Sequence, residues 1–470
     1  MMAKGYRVTY ETYDLANPTV NLSKTTVDEG KIEEPTSLMN LTMGIDKQIN
    51  VIKAIQNCDL QEKSLLLTRR TTCSCCSGKL KKVGHHESMV HDVLTDQVVK
   101  IQRRKCCECG MEEPSTIRTI FGGIQTAELI KIQAELGAKH TFREAEHVFS
   151  LFSPQKRSIN NHDRIKHTAE QIGSVLEKIR EEEKGIVSVP PAQELILNVD
   201  GGHVKTVEAQ RSFEAMTSVI YNPDSLVSNE SETRNRICSK NSAASTKDDE
   251  QKQLISNTIV AALKQGLSPK THITALCDGA DNCWNVVDAF KPLAGSITRI
   301  LDWFHITKKI KNISMPDAAS KEKLARVKWH LWRGNVDLAC TRLEQLIDMV
   351  DEKHHNVLQK LSNYITNNKD KIVSYRLRKE KGLVFTSQYE ESTVESLINQ
   401  RCKSHQHMRW SREGLNPILQ IRAAMFSDDW DTIWKTAVMN VLTCPVIIKK
   451  EVNSCSESSS RPRITPRTAL

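Results

Sequence analysis

The sequence predicts a multidomain α/β protein, and three observations predict it. Near the front, two CxxC pairs between Cys73 and Cys109 flank an alternating, hairpin-like stretch. Behind a Pro190-Pro191 break, apolar strands ending in aspartate alternate with helices. Between the last of these strands and a late glutamate, residues 318–377 carry an almost unbroken helical periodicity.

A chain of 470 residues is too long for one core. Hydrophobic residues make up 39% and charged residues 26%, ordinary for a globular protein. The 66 basic and 57 acidic side chains leave a formal charge of +9, which fits a polyanionic partner but selects none by itself. No apolar run reaches the roughly 20 residues of a bilayer span. Met1–Leu15 lacks the apolar core of a secretory signal, so a cytoplasmic location is expected. In a reducing compartment the fourteen cysteines are poor disulfide candidates, and six of them lie between Cys73 and Cys109, which points to metal.

Taken in order, Met1–Glu34 reads as loose and polar, and Leu38–Cys58 as a helix with Leu41, Ile45, Ile49, Ile52 and Ile55 on one face. Ser64–Glu112 reads as short strands around the cysteines, and Thr126–Glu183 as helical. Glu194–Val199, His203–Glu208 and Phe213–Tyr221 suggest an antiparallel meander, followed by a polar loop over Ser225–Glu250. A helix over Gln253–Gln265 stops at Gly266. Strand His272–Cys277 ends at Asp278, a helix covers Asp281–Phe290, and strand Ser296–Leu301 ends at Asp302. In the long helical stretch Trp329, Trp332, Leu338, Leu343, Leu346, Ile347 and Val350 are the expected core. These readings divide the chain into a helical region (1–62), a zinc ribbon (63–112), helix-turn-helix-like helices (113–189), a core in two parts (190–317 and 386–440) around a helical insertion (318–385), and a disordered tail (441–470).

Each CxxC turn can present two thiolates to one face of an ion, and two such turns close a tetrahedral zinc site. Cys73, Cys76, Cys106 and Cys109 are the expected ligands of a structural Zn²⁺, with Gly78 and Gly110 supplying positive φ after each knuckle. Cys75 and Cys107 are spare, and His85, His86 and His91 are further donors, so spacing alone leaves the ligand register open. Arg69, Arg70, Lys79, Lys81, Lys82, Arg103, Arg104 and Lys105 surround the knuckles, a clustering suited to phosphates. Further on, Thr141–Phe149 opens with a Thr-x-x-Glu capping pattern, breaks at Ser153-Pro154, and leads to a second helix from Ser158. That outline is helix-turn-helix-like and would offer Asn160, Asn161, Arg164 and His167 to a DNA groove; it also suits a plain helical spacer.

Asp200 and Asp278 end strands and are each followed by glycine, which leaves room for a ligand at the backbone. Glu395, in Ser392-Thr-Val-Glu-Ser-Leu-Ile, is the expected third carboxylate, with Leu397 and Ile398 anchoring its helix; Glu390 and Glu391 are its rivals in register. Three crowded carboxylates are the means by which proteins hold divalent metals for phosphodiester displacement.

The runs Asp200-Gly-Gly-His-Val-Lys with Arg211-Ser-Phe-Glu-Ala-Met, Cys277-Asp-Gly-Ala-Asp-Asn-Cys-Trp with Ile300-Leu-Asp-Trp-Phe-His-Ile, and Val394-Glu-Ser-Leu-Ile-Asn-Gln-Arg-Cys-Lys with Met408-Arg-Trp-Ser-Arg-Glu-Gly resemble bacterial insertion-sequence transposases of the DDE class. The resemblance covers roughly residues 195–434 and implies a ribonuclease-H-like catalytic core. By it, Asp200, Asp278 and Glu395 are the catalytic carboxylates, holding Mg²⁺ or Mn²⁺. Asp302-Trp-Phe-His matches the [C/D]xxH motif of Mutator-like and hAT-like relatives, which makes Asp302 and His305 supporting residues. Arg401, Lys403, Arg409 and Arg412 would hold phosphates near the scissile bond. The implied partner is double-stranded DNA, as element ends and target, bound by a dimer or larger assembly. A non-catalytic DNA-binding regulator and a structure-specific nuclease are the competing readings.

Overall fold

The computed structural model describes residues 4–38, 41–67, 70–152, 156–183, 189–228, 235–387, 394–403, 408–427 and 429–443. Arg69, the Ser153-Pro154 break, Glu390, Glu391 and the tail from residue 444 lie outside these. The chain divides into two compact units. One comprises Met1–Gln133, Arg143–Arg164 and Lys435–Leu470; the other comprises Ala134–Phe142 and Ile165–Trp434.

In the first unit the stretch expected to be loose is a hairpin of β1 (Gly5–Tyr13) and β2 (Asn21–Lys31). Its cross-strand partners are polar, such as Arg7 with Glu29 and Thr12 with Ser23, so no apolar alternation advertises it. Helix α1 (Ile45–Leu67) starts and ends later than expected. Leu60 and Leu67 of α1 pack with Val99 and Ile101 of the hairpin β3 (Leu80–His91) and β4 (Asp96–Cys106). Short α2 (Ile117–Phe121) adds Ile117 to that core. Later in the sequence come the first half of α3 (Ala127–Lys139), α4 (Phe142–Phe152) from Arg143 on, and the start of α5 (His162–Glu183), so two helices flank the predicted break.

The second unit is built on one mixed five-stranded sheet of β5 (Glu194–Lys205), β6 (Ser212–Tyr221), β9 (Asn241–Ser245), β10 (His272–Cys277) and β11 (Ser296–Leu301). A small ribbon, β7 (Leu226–Ser228) with β8 (Asn235–Ile237), interrupts the sequence. The strand order is β11-β10-β5-β6-β9, with β5, β6 and β9 antiparallel and β10 and β11 parallel to β5. Two strands expected separately, Glu194–Val199 and His203–Glu208, are largely one continuous β5. The third meander strand is β9, inside the stretch expected to be a loop. Its sequence Asn-Ser-Ala-Ala-Ser is polar yet fully buried, because Ser242 donates to the Ala423 carbonyl and Ser245 to Gln253.

Both sheet faces are covered, which explains the near-continuous apolar runs of β5 and β10. On one face Leu195, Leu197, Val199, Ile273 and Ala275 meet α6 (Lys252–Lys264) and α7 (Asp281–Asp288). On the other, Ile196, Leu276 and Ile300 meet α8 (Trp303–Lys311) and the helices α9 (Ala318–Trp332), α10 (Val336–Ile347), α11 (Glu352–Asn367) and α12 (Tyr375–Glu380). Within this helical stretch Leu343, Leu346 and Ile347 are core as expected. Trp329 and Leu338 are instead exposed, at 47% and 42%, because Trp329 stacks on the Arg333 guanidinium at the surface. A π-helical turn, Glu395–Asn399, leads into Gln400–Cys402, and α13 (Arg412–Phe426) and α14 (Trp430–Thr443) follow. From Leu415 to Ala424 every residue of α13 is buried. It crosses α5 so closely that a Cβ at Gly173 would lie 2.0 Å from the Pro417 carbonyl oxygen.

Candidate functional site

In the second unit the parallel register aligns three aspartates. Cys277 of β10 pairs with Val199 of β5 on one side and with Leu301 of β11 on the other. The next residue on each strand is therefore Asp278, Asp200 and Asp302. Three carboxylates distant in sequence thus stand level at the carboxyl edge of β10 and β11, where open α/β sheets place their sites, although Asp200 does not end its strand as expected, because β5 runs on to Lys205.

Asp200 and Asp278 both accept a hydrogen bond from nearby backbone: Gly201 N–H at 2.8 Å and Ala280 N–H at 2.9 Å. Burial raises the Asp200 carboxyl above its ordinary range; the nearby His305 opposes this, and the charges of Asp278 and Asp302 add to it. Asp302 is 1% exposed and caps α8, accepting from the Phe304 N–H. It also accepts from the Ser387 N–H at 2.9 Å and from the Ser387 hydroxyl, and its Oδ2 lies 2.7 Å from His305 Nδ1. Burial pushes Asp302 up, but these bonds win and hold it below the usual carboxylate range. Burial likewise pulls His305 down, but the Asp302 bond and the charges of Asp302, Asp200 and Asp278 raise it. The other ring nitrogen, Nε2, faces Asp200 Oδ2 at 3.9 Å.

Glu395 reaches this edge through its neighbours. Val394 and Ile398 lie against Gly202 of β5, and Leu397 and Ile398 are buried, as their anchoring role requires. Arg422 of α13 fixes the turn by donating to the Leu397 carbonyl at 2.8 Å. The Glu395 side chain itself is exposed and accepts from Asn399 Nδ2 at 2.9 Å. Among the described residues, only the four cysteines form a group of three or more such donors lying within 4.8 Å of one another, so the two aspartates and Glu395 are not drawn that close.

The glycines beside the aspartates serve packing. A Cβ at Gly201 would meet Glu214 and one at Gly202 would meet Val394 and Ile398. Gly279, at φ +99, faces Tyr364 of α11 and Asn368 just past its end. The space read from sequence as room for a ligand is filled by protein. Tyr364 also donates to the Asp278 carbonyl at 2.7 Å.

Sequence reasoning assigned no role to Glu214, which is near enough to feel the charges of Asp278 and Asp200 although the β5–β6 register turns it to the other face of the sheet from Asp200. It stands on β6 opposite His203 and accepts from Asn282 at 2.6 Å. Burial raises its carboxyl; His203 opposes that, and Asp278 and Asp200 add to it. The only signal in the sequence was the pairing of two strands, which becomes readable once their register is known.

In the first unit Cys73, Cys76, Cys106 and Cys109 converge, with all four sulfur atoms within 4.8 Å of one another. Cys73 and Cys109 are 3.6 Å apart, and Cys76 and Cys106 are 3.4 Å apart. The Cys75 and Glu108 amides donate to Cys73 and Cys106 at 3.4 Å each. Backbone amides of Cys109 and Glu108 bring the Cys106 thiol down to about 7. The Met111 amide pulls Cys109 down, but its thiol neighbours and burial push it up to about 12. Four soft donors that cannot all ionise unaided suit a structural zinc ion. Cys75 and Cys107 are exposed and outside the cluster, which fixes the register spacing left open. Gly110 has the expected positive φ, of 72°. In the first knuckle the positive φ belongs to Ser77, not Gly78; Gly78 is needed because a Cβ there would lie 3.1 Å from Cys106 Sγ.

The residues expected to touch DNA divide by exposure. Arg164 and His167 on α5 are exposed, as are Lys403 and Arg409. Asn161 caps α5, accepting from the Arg164 N–H at 2.8 Å. Asn160 is 5% exposed and accepts from Gln133 at 3.0 Å, so it is a core residue rather than a groove reader. Arg401 is 2% exposed, its guanidinium held between the rings of Trp410 and Phe142 at 4.6 and 4.9 Å, with a bond to the Gly137 carbonyl. Arg412 bonds the Thr246 carbonyl and lies 3.7 Å from Asp248 and 3.9 Å from Glu208. Both arginines therefore have protein partners where phosphates were expected. No helix among the described residues is long and apolar enough to cross a membrane.

No curated protein matches this chain. One family model matches residues 143–435, well over half of the sequence and nearly all of the second unit with its three aligned aspartates. The chain is therefore a member of UPF0236, an uncharacterised protein family.

Proposed function

We propose that the second unit is the ribonuclease-H-like core of a DDE-type transposase, cutting and joining DNA at the ends of an insertion sequence. The observation that carries this reading is the register that sets Asp278, just past the end of β10, level with Asp200 inside β5. Support comes also from the sheet: in chain order its strands lie 3-2-1-4-5, three antiparallel and two parallel, with a helical stretch between the second aspartate and Glu395.

Asp200 and Asp278 would hold Mg²⁺ or Mn²⁺, with Glu395 completing the set after its turn shifts. Hard carboxylate oxygens suit these ions, and the mutual repulsion of the aspartates is relieved by a cation. When bound, the ions supply activation of the attacking oxygen and stabilisation of the leaving one. The chain's own residues do the rest. Asp302, locked by Ser387 and the start of α8, orients the His305 ring toward Asp200. Tyr364 holds the backbone at Asp278.

The first unit would bind DNA. Its hairpin places Lys81 opposite Lys105 and Lys82 opposite Arg104, like-charge pairs that are unfavourable without an anionic partner. Arg164 of the first unit, and His167, Lys403 and Arg409 of the second, are the exposed contacts in this reading. A DNA-binding regulator without catalysis is the second reading, favoured by the exposure of Glu395 and its bond to Asn399. The deciding experiment incubates the purified protein and Mg²⁺ with labelled DNA from the flanks of its own gene. Cleavage at element ends followed by strand joining supports the transposase; binding without cleavage supports the regulator; cutting of branched DNA without joining supports a nuclease.

A further inference from the structure

Trp410 is tied to the strand that carries Asp200. Its amide donates to the Lys205 carbonyl at 3.0 Å, and its carbonyl accepts from the Val207 amide at 3.1 Å and the Thr206 hydroxyl at 2.8 Å. Thr206 lies six residues past Asp200, so along an extended strand at about 3.3 Å per residue the two are roughly 20 Å apart. At this far end is a cavity of about 330 Å³, lined among others by Phe142, Lys166, Glu170, Arg401, Arg409 and Trp410. That volume falls within the usual range for small-molecule sites, about 300–1,000 Å³.

Three features of the cavity point to one ligand chemistry. Its wall is aromatic, with Phe142 and Trp410 ring centroids 6.3 Å apart in an edge-to-face pair. The indole Nε1 of Trp410, in a residue only 8% exposed, is buried without a hydrogen-bond partner, although a buried indole N–H ordinarily has one. The accessible charge is positive: the exposed Lys166 and Arg409 stand against one carboxylate, Glu170, which is 3.8 Å from Lys166. An aromatic face, a free donor and a net positive rim match a base with its phosphate.

We propose that this cavity binds one nucleotide of a DNA strand, on the order of six duplex steps of 3.4 Å from the phosphodiester at Asp200. The base lies against the aromatic wall and accepts from the Trp410 indole once the ring turns to bring its buried N–H to the cavity, and Lys166 and Arg409 hold its phosphate. The inference rests on the proposed function in one respect, that the second unit engages DNA.

The test uses the full chain carrying Asp200→Asn, without added magnesium, so that binding is read apart from cleavage. A duplex from the element end carries 5-iodouracil at successive positions, and photo-crosslinked peptides are mapped by mass spectrometry. The expected crosslink falls on the peptide containing Phe142 or Trp410, from a single window of positions. By fluorescence anisotropy, Trp410→Phe, which keeps a ring and removes the donor, weakens binding at least threefold. Lys166→Ala with Arg409→Ala weakens it at least tenfold and reduces the salt slope by about two. Circular dichroism confirms that each variant is folded. Tight DNA binding with crosslinks only elsewhere, or with both variants at full affinity, overturns the pocket and leaves the proposed function standing. Competition of the crosslink by free dTMP as effectively as by DNA also overturns it, assigning the cavity to a free nucleotide. Absence of any DNA binding overturns both.

Discussion

His305 Nδ1 lies 2.7 Å from a carboxylate oxygen of Asp302, a side chain almost wholly buried and also bound to Ser387. This pair fixes the ring so that Nε2 faces Asp200. The bond makes the pair a measurable source of pH dependence.

The His305 pKa is raised above its ordinary value, and the Asp302 bond is the principal cause of the rise. A raised histidine stabilises the fold fully below its unfolded value of about 6.5, and the contribution is lost as pH rises through the folded value. In metal-free protein, Asp302→Asn should lower the His305 pKa followed by NMR and flatten stability against pH in that window. It should also cost about 2–3 kcal/mol at pH 6, since the donors His305 and Ser387 on one carboxylate oxygen would face an NH2 group instead of an acceptor. An unchanged His305 titration curve would disprove the coupling.

Asp200→Asn and Asp278→Asn should leave DNA affinity within a few fold while slowing Mg²⁺-dependent cleavage by at least about 10³-fold, or about 4 kcal/mol in the barrier. Wild-type cleavage by either variant would remove that residue from the chemistry.

Glu395 and Glu214 compete for the third place. If the transposase reading holds, Glu395→Gln should abolish cleavage to the same degree as Asp200→Asn. Glu214→Gln, which keeps the Asn282 contact, should reduce cleavage by about tenfold, or about 1.4 kcal/mol. The reverse ranking would make Glu214 the metal-binding carboxylate, reaching around from the opposite face of the sheet.

Metal analysis of the purified chain should find about one zinc ion per molecule. Cys73→Ser or Cys109→Ser should abolish it and unfold the β3–β4 hairpin, read by loss of amide protection, because such small modules fold through their metal. Zinc retained by both variants would break the four-thiolate assignment.

Gly173→Ala should destabilise the second unit by more than about 3 kcal/mol in denaturant unfolding, because the added methyl group has nowhere to go but into the Pro417 backbone. A near-neutral result would mean that α5 and α13 are not in this contact.

Several features were readable without a fold because they are local. The CxxC spacing pointed to the four cysteines that converge, and the alternation between them marked the hairpin, since a turn of four residues dictates where its own side chains go, while the choice against Cys75 and Cys107 waited for the structure. Strands ending in aspartate were legible because apolar runs and glycines mark where a buried strand stops. What only the tertiary structure decided depends on partners far away in sequence. The polar strand Asn241–Ser245 is invisible alone because its hydroxyls are satisfied by α6 and α13. Arg401 and Asn160 carry side chains suited to DNA, but neighbouring rings and amides claim them. Asp302 comes level with Asp200 and Asp278 only through parallel pairing, because register is a property of two strands and no single segment encodes it.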